Sequence, residues 1–107
     1  MKKSERYKKS RCLRLVKLIK SPKKDKKYRA IFNDGSHTDF GARGYSDYTI
    51  HKDYNRMKRY DSRHKSRENW NNMKSRGALS KWILWNKPSL KSSIADYRKK
   101  LKKKCKN

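Results

Sequence analysis

Tyr28-Arg29-Ala30-Ile31-Phe32-Asn33-Asp34-Gly35-Ser36-His37-Thr38-Asp39-Phe40 decides the fold. A β-rich run lies on each side of Asn33-Asp34-Gly35, as in two strands joined by a tight turn. A two-residue Asp34-Gly35 loop would pair Phe32 with His37 and put Phe40 on the opposite face from Tyr28 and Phe32. A three-residue loop makes Asn33-Asp34-Gly35 a type I turn with Gly35 left-handed. It sets Phe32 against Ser36, Ala30 against Thr38 and Tyr28 against Phe40. This register gathers Tyr28, Ala30, Phe32 and Phe40 on one face for a core, and it is the one expected.

Upstream, Leu13-Arg14-Leu15-Val16-Lys17-Leu18-Ile19-Lys20 fits two readings. Leu13 and Leu15 alternate as in a strand, while Cys12, Leu15, Val16 and Ile19 fit one helical face. The strand is preferred, because the run is short, ends at Ser21-Pro22 and is followed by a charged turn, Lys23–Lys27. Downstream, Gly41-Ala42-Arg43-Gly44 is a connector, and Ser46 or Asp47 can cap a helix. In that helix Ile50, Tyr54, Met57 and His64 lie on one side. Opposite them Lys52, Arg56, Arg59, Arg63 and Arg67, separated by 4, 3, 4 and 4 residues, stay within a sector of ~80°.

A polar stretch, Glu68–Gly77, interrupts with Trp70 inside it. Ala78–Trp85 then reads as a short helix that is apolar nearly all round, expected at the centre of the core with Trp82 and Trp85 between the sheet and the last helix. Pro88 ends it, Ser89 can cap the next helix, and Leu90, Ile94, Tyr97 and Leu101 form one buried stripe. The pattern predicts an α+β fold: a small N-terminal antiparallel sheet of about three strands followed by three helices packed on one face. The expected organisation is a basic arm over residues 1–11, a single domain over 12–98 and a basic C-terminal arm over 99–107.

Charge points to the partner. The chain of 107 residues has 34 Lys and Arg against nine Asp and Glu, a formal net charge of +25. Such an excess suits a polyanion, nucleic acid first, then acidic protein surfaces and anionic lipid. No apolar run approaches the ~20 residues of a membrane span, and Met1-Lys2-Lys3-Ser4 is not an apolar signal core, so no membrane partner and a soluble intracellular or particle-packaged protein are expected. The arms supply Lys2, Lys3, Arg6, Lys8, Lys9 and Arg11 at one end and Lys99, Lys100, Lys102, Lys103 and Lys104 at the other. With the row Lys52, Arg56, Arg59, Arg63 and Arg67 they are the candidate phosphate contacts, and Tyr45 and Trp70 are candidates for stacking on bases. Pro22–Lys27 and Lys99–Lys104 can also each be read as a nuclear localisation signal.

Enzyme chemistry finds no support here. His51-Lys52-Asp53 is contiguous, so its side chains point in different directions around a helix, unlike the spread His, Lys and Asp of a phosphodiesterase motif. His37, His51 and His64 with two distant cysteines give no zinc-ligand spacing, and no glycine-rich phosphate loop is present. No catalytic residue, metal, cofactor or small-molecule substrate is expected. Cys12 and Cys105 are expected to be a reduced pair.

Several stretches resemble a small uncharacterised protein family of large double-stranded DNA viruses of amoebae and algae, such as marseilleviruses, mimiviruses and phycodnaviruses. They are Lys27-Tyr28-Arg29-Ala30, Phe40–Thr49, His51-Lys52-Asp53, Arg63-His64, Gly77-Ala78-Leu79-Ser80, Ile83–Pro88 and Ser93–Tyr97. The likeness covers about residues 27–101. It implies a viral setting, with location in the virion and in host cytoplasm or nucleus during infection. Two functional classes follow: a DNA-binding or DNA-condensing protein with little sequence specificity, and a minor capsid-associated protein whose basic surface binds acidic virion partners.

Overall fold

The computed structural model describes residues 12–105. Three strands, β1 (Leu15–Lys20), β2 (Lys26–Phe32) and β3 (His37–Ala42), form an antiparallel sheet in the order β1-β2-β3. The central hairpin takes the three-residue register: Tyr28 faces Phe40 and Ala30 faces Thr38. The Phe32 amide donates to the Ser36 carbonyl at 2.9 Å and the Gly35 amide to Phe32 at 3.1 Å. Gly35 sits at φ +88°, a backbone region that side chains resist. Asp34 locks the turn, its Oδ1 accepting from the Ser36 amide at 2.9 Å and hydroxyl at 2.6 Å.

The strand reading of the upstream run holds for Leu15–Lys20, with a register irregularity between Leu15 and Lys17 that leaves Val16 exposed. Helices follow: α1 (Tyr48–His51), α2 (Tyr54–His64), α3 (Arg76–Leu79) passing into a π-helical turn (Ser80–Leu84), and α4 (Leu90–Cys105). Ser89 caps α4, its Oγ accepting from the Ser92 amide at 3.0 Å. Leu15, Ala30, Phe32 and Phe40 of the sheet meet Met73, Leu79, Ile83, Leu84, Tyr97 and Leu101 in one core. Gly41, at φ +80°, lets the end of β3 approach this core; a Cβ there would stand 2.9 Å from Leu84 Cδ1.

Four expectations need correction. The first long helix is two pieces, because Lys52 adopts a left-handed φ of 55° and closes α1, and Asp53 starts α2 anew by accepting from the Arg56 amide. Ile50 and Tyr54 are therefore exposed rather than on a buried side. Trp82 and Trp85 are half-buried at the core's rim, while Ile83 and Leu84 between them are buried. Lys99–Lys104 is not a separate arm: α4 continues through it, with Leu101 only 4% exposed. Cys12 and Cys105 are joined by a disulfide, their Cα atoms 5.4 Å apart across 93 residues of sequence. The start of β1 and the last turn of α4 are neighbours in space, which sequence separation conceals.

Candidate nucleic-acid interface

Asp47 organises the approach to the site. It is buried, accepts from the Thr49 amide at 2.9 Å as the α1 cap and pairs with Lys27 of β2. α1 is thereby pinned to the sheet, and the left-handed Lys52 ends it before Asp53 caps α2. Only Met57 and Tyr60 of α2 are buried. The Tyr60 ring stacks on His64 at 4.1 Å and lies nearly parallel to Trp85 at 4.3 Å. Burial raises its phenol pKa well above the ordinary value.

This anchorage leaves Arg56, Arg59 and Arg63 exposed on α2. The five-residue row becomes three helical cations with two flanking ones. Lys52 lies outside the helix, its Nζ donating to the carbonyls of Thr49 at 3.0 Å and Pro88 at 2.6 Å. Arg67 lies in the turn beyond it, its Nε donating to the Arg63 carbonyl at 3.2 Å. On α4, Lys99, Lys102, Lys103 and Lys104 are exposed, whereas Lys100 is half-buried, 3.6 Å from Asp96 and 4.1 Å from the Trp82 ring. Lys2, Lys3, Arg6, Lys8, Lys9 and Arg11 lie outside the described residues.

Tyr45 is 73% exposed, with its ring open to a partner. Trp70 is not a free platform: its Nε1 donates to Glu68 at 2.8 Å, its ring meets Trp82 edge-on at 6.1 Å and the Lys81 ammonium stands 5.4 Å from its centre. Lys81 is a buried cation that the apolar reading of Ala78–Trp85 does not single out. It is 6% exposed and donates to Asp61 at 2.7 Å and to the Trp85 carbonyl at 3.2 Å. A lysine amid tryptophans within an apolar run was the available signal.

The carboxylates matter most. Seven of the eight in the described residues are engaged by the fold itself. Asp34 holds Lys74 and Ser36; Asp39 holds Arg29 and Ser21; Asp47 holds Lys27 and Thr49. Asp53 caps α2, Asp61 holds Lys81, Glu68 bridges His64 and Trp70, and Asp96 holds Asn86 and Lys100. Of the 27 described Lys and Arg, six have a carboxylate oxygen within 4 Å: Lys23, Lys27, Arg29, Lys74, Lys81 and Lys100. Arg56, Arg59 and Arg63 are not among them, nor are Lys99, Lys102, Lys103 and Lys104.

Fold and surface together define a small α+β domain most of whose described acids are engaged by its own groups and many of whose described cations are exposed with no carboxylate within 4 Å. Over residues 16–64, from β1 to the end of α2, the chain matches a family of unknown function (DUF5754). Neither a curated protein nor a solved structure matches it. No cluster of three or more His, Cys, Asp or Glu suited to a metal ion occurs among the described residues, and no described helix is long and apolar enough to cross a membrane.

Proposed function

We propose that this is a non-enzymatic nucleic-acid-binding protein, DNA being the preferred partner, which contacts phosphates with little regard to sequence. One observation carries the reading: seven of the eight carboxylates among the described residues are engaged within the fold, so Arg56, Arg59 and Arg63 of α2 and Lys99, Lys102, Lys103 and Lys104 of α4 reach solvent with no carboxylate within 4 Å among the described residues. Such cations neutralise phosphates and release condensed counterions, a gain available on any sequence. Arg56, Arg59 and Arg63 suit this work, because a guanidinium fork matches phosphate oxygens. The resemblance to proteins of large DNA viruses supports a genome as the polyanion and the virion as the location.

The test is a binding titration of duplex and single-stranded DNA over a range of salt. If ~6–10 phosphates are neutralised, log K against log salt falls with a slope of roughly −5 to −9. A flat salt dependence, or no binding at low salt, overturns the reading.

A further inference from the structure

A groove of about 650 Å³ runs between the start of β1 and the outer side of α4, beside the Cys12–Cys105 bridge. Its walls are aliphatic, from Leu13, Leu15, Ala95 and Leu101. Arg14, Arg98, Lys99 and Lys102 also line it, and none of them has a carboxylate within 4 Å among the described residues. Ala95, Arg98, Lys102 and Cys105, spaced 3, 4 and 3 apart, form a stripe on α4 adjoining its buried one.

Arg98 is held in place. Its Nε and Nη2 donate to the Leu15 carbonyl at 3.2 and 3.1 Å, and Nη2 also to Val16 at 3.2 Å. Carbonyl oxygens orient a guanidinium without neutralising it, so a full positive charge stands fixed beside an apolar wall. That combination asks for a ligand with aliphatic groups to bury and carboxylates to pair. Nucleic acid supplies anions without aliphatic groups, and no aromatic side chain lines the groove for a base to stack on.

We propose that this groove docks an acidic segment of another protein that carries aliphatic anchors, such as one helical face of leucine and glutamate. Its aliphatic side chains lie against Leu13, Leu15 and Ala95, and its carboxylates pair with Arg98 and Lys102. The groove lies apart from the α2 arginines but shares Lys99 and Lys102 with the α4 cations assigned to phosphate, so a change that fills the groove without altering charge separates the two readings.

The experiment uses the full chain and a fluorescein-labelled helical peptide of leucine and glutamate, read by anisotropy, with polyglutamate and oleate as comparisons. The peptide is expected to bind roughly tenfold or more tighter than polyglutamate of equal charge. Ala95→Trp, at an exposed position, fills the groove without touching the core, and Arg98→Gln removes the fixed charge. Each should weaken the peptide roughly tenfold, and Ala95→Trp, which changes no charge, should leave duplex DNA affinity within about twofold. Should Arg98→Gln loosen β1, Ala95→Trp alone decides. Equal affinity for polyglutamate, or an Ala95→Trp variant that binds the peptide as the parent does, overturns the proposal. So does a parallel fall in DNA affinity for Ala95→Trp, which would make the groove part of one undifferentiated polyanion surface. Capture of oleate in place of the peptide would make it an acyl-chain site and equally end the proposal.

Discussion

Tyr97 shows how a single residue ties distant parts together. Its ring is fully buried, and its hydroxyl donates to the Met73 carbonyl at 2.7 Å across 24 residues. Burial pushes its phenol far up, so it stays neutral. Tyr97→Phe keeps the packing and strands a buried carbonyl; a loss of about 1–3 kcal/mol in urea unfolding is expected. Asp39 responds to pH. Hydrogen bonds from Arg29, at 3.0 and 3.1 Å, hold its carboxyl down at about 2, aided by Ser21 and against the effect of burial. Asp34, bonded by Ser36, and Asp96, held by Asn86 and Lys100 although burial pushes it up, are also lowered. A carboxyl lowered by folding adds stability above its unfolded value near ~4, and that stability is lost as pH falls through the folded value. Urea midpoints should therefore drop between about pH 5 and about pH 2, and Asp39→Asn should lower the midpoint at neutral pH while flattening this acid dependence.

At the scale of elements, the break at Lys52–Asp53 determines which cations form a rigid array. Periodicity alone runs one helix through residues 48–67, because Ile50, Tyr54 and Met57 keep a helical spacing. The structure interrupts it with a left-handed Lys52, and Asp53, an ordinary cap residue, was the legible sign. The row therefore yields three helical arginines. Replacing Arg56, Arg59 and Arg63 by Gln should make the salt slope for duplex DNA shallower by about 2–3. Each change should shift stability by no more than about 0.5 kcal/mol, since all three face solvent. Salt-dependent anisotropy and thermal melting on the same samples check both parts; unchanged binding would make the row an ordinary solvated face.

Across the whole molecule the largest constraint is the Cys12–Cys105 bridge, which closes a loop of nearly the full chain. A cross-link restricts the unfolded chain more as the loop lengthens, and removal commonly costs about 2–5 kcal/mol. Reductant, or a Cys12→Ser/Cys105→Ser variant, should lower the unfolding midpoint by a corresponding amount; an unaltered midpoint would show that the core and the Arg98 bonds to β1 hold the two ends unaided. Closing the ends also brings Lys102 of α4 into one groove with Arg14. Cations distant in sequence become one local field.

The hairpin could be read directly, because its register depends on local quantities: alternation, turn length and the need for a left-handed residue at Gly35. The same holds for the cap at Ser89 and for the Tyr97 and Leu101 stripe, each decided within one or two helical turns, whereas the choice of Asp47 over Ser46 as the α1 cap came with the structure. The surplus of positive charge was likewise plain from counting. Which cations remain unpaired was not, because pairing is decided by partners such as Lys81 with Asp61, 20 residues apart, and Arg29 with Asp39 across the hairpin. The joining of Cys12 to Cys105 and the groove beside it were hidden for the same reason. They depend on α4 packing back against β1, a contact created only when the two elements share the core around Leu15 and Leu101.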